Sequence, residues 1–139
     1  MLPTSNPLHG FPGLPHQTFK WSNGLLEIPA SVGKVGGITM PYLGGFYFRY
    51  LPMSIIKSQL KRADKKSPLW TYCHPYDFDA QEKDWRIKGA PTAVSILLWL
   101  NRKNTFKKLE SLSEHNSFTP PFRDQEFGND LKVINPATL

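Results

Sequence analysis

Apolar positions recur with helical spacing only in the middle of the chain, and on either side proline and glycine break the pattern. Ile56, Leu60 and Ala63 fall at i, i+4 and i+7, with Lys57, Lys61 and Arg62 off that stripe. This predicts an amphipathic helix over 53–64, entered through Pro52, a residue suited to a first helical turn. Residues 91–100 are apolar almost all round and predict a helix buried on most sides. Asn104 is placed to cap a further helix in which Phe106, Leu109 and Leu112 share one face. Leu25, Leu26 and Ile28, entered through Asn23-Gly24 and closed by Pro29, predict a strand over 24–28. Residues 69–74, rich in aromatic and β-favouring types, predict another. Between them, 30–45 is punctuated by Gly33, Gly36-Gly37 and Gly44-Gly45 and reads as a long loop. Strand, helix and strand in this order imply a βαβ crossover, so the fold class expected is α/β. The prolines of 1–23 make an extended lead-in, and 119–139, polar and without period, reads as a poorly ordered tail.

With 139 residues, 40% of them apolar, the chain is sized for one domain with a modest core. Its formal charge of +6 permits an anionic partner, but no nucleic-acid module accompanies it, so nucleic acid is not expected as the partner. Lys57, Lys61, Arg62, Lys65 and Lys66, and then Arg102, Lys103, Lys107 and Lys108, read as solvated helix faces. The single cysteine, Cys73, excludes an internal disulfide or a cysteine zinc cluster and fits a reducing, cytoplasmic compartment. The first residues show no basic region followed by an apolar run, so a signal peptide is not expected. The stretch from Ile96 to Leu100 is too short to span a bilayer.

Three segments carry a resemblance. Leu25-Leu26-Glu27-Ile28-Pro29, Gly44-Gly45-Phe46-Tyr47-Phe48-Arg49-Tyr50-Leu51-Pro52 and Tyr72-Cys73-His74-Pro75-Tyr76-Asp77-Phe78-Asp79 follow one another as in the C-terminal stretch of polysaccharide deacetylases of the NodB-homology class. In particular the chain resembles the subfamily tied to exopolysaccharide loci, which carries an uncharacterised C-terminal domain. Residues 104–112 are similar to that subfamily's closing helix, and the resemblance covers 24–118. It implies part of a distorted (β/α) barrel acting on a polysaccharide or N-acetylated oligosaccharide. In such enzymes a divalent metal, usually zinc, is held by one Asp and two His of a His-x-x-x-His motif in the N-terminal half. This chain has no such motif, its histidines being His9, His16, His74 and His115. Catalytic zinc needs about three protein ligands, so the chain is expected to hold no metal itself and to work only beside a metal-binding half.

Candidate residues come in part from the resemblance and in part from the residues themselves. His74, at the end of the 69–73 strand, matches the family's histidine that protonates the leaving amine, a task suited to an imidazole. Leu69, Thr71 and Cys73 match the apolar residues lining the acetyl methyl pocket, although Thr71 departs from the apolar type. Tyr47, with Phe46 and Tyr50, is placed to stack on sugar, or else belongs to the core. Arg49 either grips a substrate oxygen or pairs with a carboxylate such as Glu27. Asp77 and Asp79 either orient His74 or bind a cation, or simply form a turn, which Asp favours. A Cys73–His74 nucleophile is disfavoured because strand neighbours face opposite ways. The alternative to an enzyme is a non-catalytic carbohydrate-binding or scaffold remnant built on the loop from Gly44 to Pro52.

Overall fold

The computed structural model describes residues 3–4, 10–64, 67–82, 86–114, 119–120, 122–124, 126–128 and 130–139. Lys65, Lys66, His9 and His115 lie outside them. The strands are β1 (Phe19–Trp21), β2 (Leu26–Glu27), β3 (Val32–Val35), β4 (Ile38–Pro41) and β5 (Val133–Ile134). The helices are α1 (Gly45–Tyr50), α2 (Met53–Arg62), α3 (Thr92–Trp99) and α4 (Thr105–Ser113). The class is mixed α/β, and no closed barrel is formed among the described residues.

Asn23-Gly24 turns β1 back onto β2, with Gly24 at a φ of +88° that costs a glycine nothing. Asn23 Oδ1 accepts from Leu25 N–H at 3.0 Å and closes that turn. On its other edge β1 takes β5 in parallel, Trp21 beside Ile134. The two ends of the chain, expected as a lead-in and a tail, thus meet in one sheet of order β2-β1-β5. Leu14, Phe19 and Ile134 form a small core beneath it.

Residues 30–45 are not a loop. β3 and β4 pair antiparallel across Gly36-Gly37, whose φ values of +58° and +84° make the two-residue turn that matches strand twist. Gln59 of α2, itself buried, donates from Nε2 to Lys34 O at 2.8 Å and fixes the hairpin to the helix. A Cβ on Gly33 would lie 2.3 Å from Gln59 Oε1, so the glycine makes room for that contact.

The main core is Tyr42, Leu43, Phe48, Ile56 and Leu112, with Leu60, Cys73 and Leu109 packed around it. Ile56 is fully buried, as the predicted stripe of α2 requires. The predicted strand at 69–74 is an extended segment with a single isolated parallel bridge, Tyr72 to Gly44. The predicted strand at 24–28 is β2, paired antiparallel with β1, so the two do not form the expected βαβ crossover among the described residues. α3 forms where its apolar run predicts, but only Ser95 is buried; Val94, Ile96, Leu97 and Leu100 are exposed. Apolarity specified the helix without specifying what packs on it. No helix among the described residues is long and apolar enough to cross a membrane.

The second basic stretch is a solvated face only in part, with Lys103 and Lys107 exposed. Arg102 is buried, and Lys108 of α4 sets its ammonium on the C-terminal carbonyls of α1: Phe48 O at 3.0 Å, Arg49 O at 2.6 Å and Leu51 O at 2.8 Å. Those carbonyls have no helical partner, and a cation there also meets the negative end of the helix dipole. Asn104 occupies the N-cap position of α4, but its side chain donates to Asn101 Oδ1 at 2.9 Å rather than capping the helix.

Candidate functional site

Gly44 and Gly45 bring the chain out of β4 and against the segment that ends at His74. Gly45 N–H donates to Tyr72 O at 2.7 Å. A Cβ on Gly44 would lie 2.3 Å from the Tyr72 ring, and one on Gly45 2.3 Å from Asp77 Oδ2. The glycine pair admits a tyrosine and a carboxylate of the chain itself. The stretch from Gly44 to Pro52, which a binding remnant would use as a loop, is largely the helix α1.

His74 precedes a single 3-10 turn, Pro75–Asp77. Asp77 Oδ2 accepts from His74 N–H at 2.8 Å, closing the turn. Asp77 Oδ1 stands 3.1 Å from Arg49 Nε, with the two side chains 1% and 0% exposed. The N–H does not aim at that oxygen, so the attraction is coulombic rather than a hydrogen bond. Arg49 Nη1 donates to Leu98 O at 2.7 Å and more weakly to Leu100 O at 3.3 Å. Nη2 has no hydrogen-bond partner; the rings of Phe46 and Tyr50 lie 5.9 and 5.7 Å from the guanidinium carbon. Arg49 therefore pairs with Asp77, not with Glu27, whose Oε2 accepts from Trp21 Nε1 at 3.3 Å. Through this pair α1, the His74 turn and the end of α3 become one unit.

The His74 side chain is exposed and lies nearly parallel to the Tyr76 ring, 4.9 Å between centroids at 15°. Arg102 supports Tyr76 from 5.7 Å, stacks on Trp99 at 4.1 Å, and is held by Glu82 at 2.6 Å and Leu98 O at 3.1 Å. Asp79 forms a turn, its Oδ1 accepting from Gln81 and Glu82 N–H at 2.9 and 3.0 Å. Tyr47 is half-buried with its ring edge-on to Phe46 at 5.6 Å. Leu69 and Thr71 are exposed while Cys73 packs on the core, so the three do not share one wall.

The structure thus joins His74 to Arg49 through Asp77, and leaves Leu69 apart. Sequence reasoning missed the part played by Arg102, Lys108 and Asn101, whose side chain donates to Arg49 O. Asn101 left a signal: it follows an apolar helix and adopts a φ of +66°, the left-handed conformation that asparagine tolerates at a helix end. No three His, Cys, Asp or Glu side chains converge as a metal site among the described residues.

Burial pushes the Cys73 thiol above its usual 9.0, the Asp77 charge adds to the rise, and Arg49 opposes it. A thiol so placed is a poor nucleophile. Burial likewise raises Tyr42, Tyr50, Tyr72 and Tyr76 above 10.0. These five groups stay protonated in the folded chain where the unfolded chain has lost its protons. Their contribution is complete below pH 9 and is lost as pH rises past 9 and then 10. Lys108, lowered from 10.5 by burial, works in the opposite sense but is a single group. Urea unfolding followed from pH 8 upward should give midpoints that fall above pH 9; rising midpoints would show that these groups are not buried.

A family described as a domain of unknown function, DUF3473, matches residues 1–123, and the chain belongs to that family. No curated protein and no solved structure matches the chain.

Proposed function

We propose that this chain is the C-terminal part of a polysaccharide deacetylase, which removes N-acetyl groups from a sugar polymer when completed by a metal-binding half. The family to which the chain belongs sits at the C-terminus of such enzymes. The observation that carries the reading is the convergence of the three segments. The second and third are joined by the Gly44–Tyr72 bridge and the Arg49–Asp77 pair, and the first is tied in by Trp70 Nε1, which donates to Pro29 O at 3.1 Å. The single Gly44–Tyr72 bridge is parallel, as the strands of a (β/α) barrel are, and the remaining strands would come from the other half.

In this reading His74 gives its proton to the departing amine. Tyr76 covers one face of the imidazole, and the side chain remains open to solvent. Asp77 takes the backbone N–H of His74, so it fixes the main chain at this residue. Arg49, wholly inside, is a positioning residue that holds Asp77. The metal-binding half would supply the zinc and the base. The test is acetate release from an N-acetylated oligosaccharide by the complete enzyme, metal-loaded, and by the same enzyme lacking 24–118. Acetate is expected from the complete enzyme alone; equal release from both would overturn the reading.

A further inference from the structure

Away from the His74 turn, a cavity of about 440 Å³ lies between the N-terminal segment, the β3 strand, the end of α2 and the segment that starts at Ser67. That volume falls within the range of small-molecule sites, roughly 300–1,000 Å³. Nothing in the reading of His74 accounts for it.

Its wall combines three kinds of group. Arg62 and Lys132 line it, are exposed, and make no ion pair among the described residues. The carboxylate in the wall, Asp64, accepts from Gln17 Nε2, and His16 stands at the same rim. Hydroxyls come next. Ser31 Oγ is buried without a hydrogen-bond partner, and Ser67 Oγ accepts from Thr18 N–H at 3.1 Å and keeps its own proton to donate. Tyr42, buried beside them, adds a phenol hydroxyl. The rest is apolar: Pro29, Pro68 and Leu69 offer carbon faces.

Each group has a counterpart on one kind of molecule. Cations suit a carboxylate, hydroxyls suit ring hydroxyls, and the prolines and leucine suit the C–H face of a sugar ring. A phosphate fits less well than a carboxylate, since the site lies at the C-terminal end of α2, where helix carbonyls oppose a doubly charged anion more strongly than a singly charged one. We propose that this cavity binds one unit of an acidic saccharide, a uronate whose carboxylate lies against Arg62 and Lys132. The inference stands apart from the proton-donor role of His74. Leu69 nevertheless belongs to both the cavity wall and the segment that ends at His74, so a polymer seated here would run toward that residue.

The test is calorimetric titration of the 139-residue chain with a galacturonate disaccharide, a neutral N-acetylglucosamine disaccharide and inorganic phosphate. The uronate is expected to bind more tightly than the other two. Arg62→Gln and Lys132→Gln should each weaken it by roughly tenfold, the loss expected of one charged hydrogen bond. Both positions are exposed, so melting should be unchanged. Ser31→Ala, which removes a hydroxyl and no charge, should weaken the uronate as well. Failure of the uronate to bind, equal binding of the neutral sugar, preference for phosphate, or variants that bind like the parent chain would each overturn the proposal.

Discussion

Asp77→Asn should lower the unfolding free energy by about 3–5 kcal/mol, the cost of leaving a buried charge without its partner. The substitution keeps the shape of the side chain and an oxygen for the His74 N–H, so what it removes is the charge facing Arg49. The guanidinium would then rest on Leu98 O and Leu100 O alone, with Nη2 still unpartnered. Against a total stability of about 5–15 kcal/mol for a typical domain, that is a large fraction. Arg49→Met should also destabilise, since it strands a carboxylate that is 1% exposed. The double variant should lose less than the sum, with a coupling of about 0.5–3 kcal/mol. Urea unfolding of the four proteins measures the cycle. Additive losses would mean that the two side chains do not stabilise one another.

His74→Ala in the complete enzyme should reduce turnover by about 10²–10⁴-fold, the range for a lost general acid. The Michaelis constant should move far less, because a proton donor acts on the transition state rather than on the bound sugar. The side chain is exposed and its ring contact is with Tyr76, so the melting temperature should hardly change. Asp77→Asn differs in kind, lowering stability and turnover together. A folded, metal-loaded His74→Ala enzyme with nearly full turnover would remove His74 from the chemistry.

The regular middle of the chain was legible because its signals are local. The Ile56 stripe predicted 53–64 and α2 is Met53–Arg62; the apolar run predicted 91–100 and α3 is Thr92–Trp99. The β3–β4 hairpin was equally local: Val32 to Val35, Gly36-Gly37 and Ile38 to Met40 are two β-favouring runs around a two-glycine turn. Glycine density hid it, because frequent glycines read as a loop before they read as a single tight turn. α1 has no side-chain cap and only six residues, so its formation depends on groups far along the chain. β5 pairs with β1 from more than a hundred residues away, and two residues leave no period to detect. The site divides in the same way. His74 was visible through the resemblance and Arg49 through its place in the aromatic run after Gly44-Gly45, but Asp77 was open between orienting His74, binding a cation and forming a turn. Only the fold shows which carboxylate meets which cation.

The ammonium of Lys108 ties the folding of two distant helices into one event. A helix as short as α1 is unstable alone, because nucleation costs more than so few hydrogen bonds return. Its last carbonyls find their donor on α4, 57 to 60 residues later, so α1 is complete only once α4 has docked. The loop that must close first spans the His74 turn and α3. Late, non-local closure of this kind slows folding and makes the helices open together rather than fray separately. Backbone amides of α1 and α4 would then exchange with solvent at a common rate, and the orientation of His74 would persist only while both helices are closed.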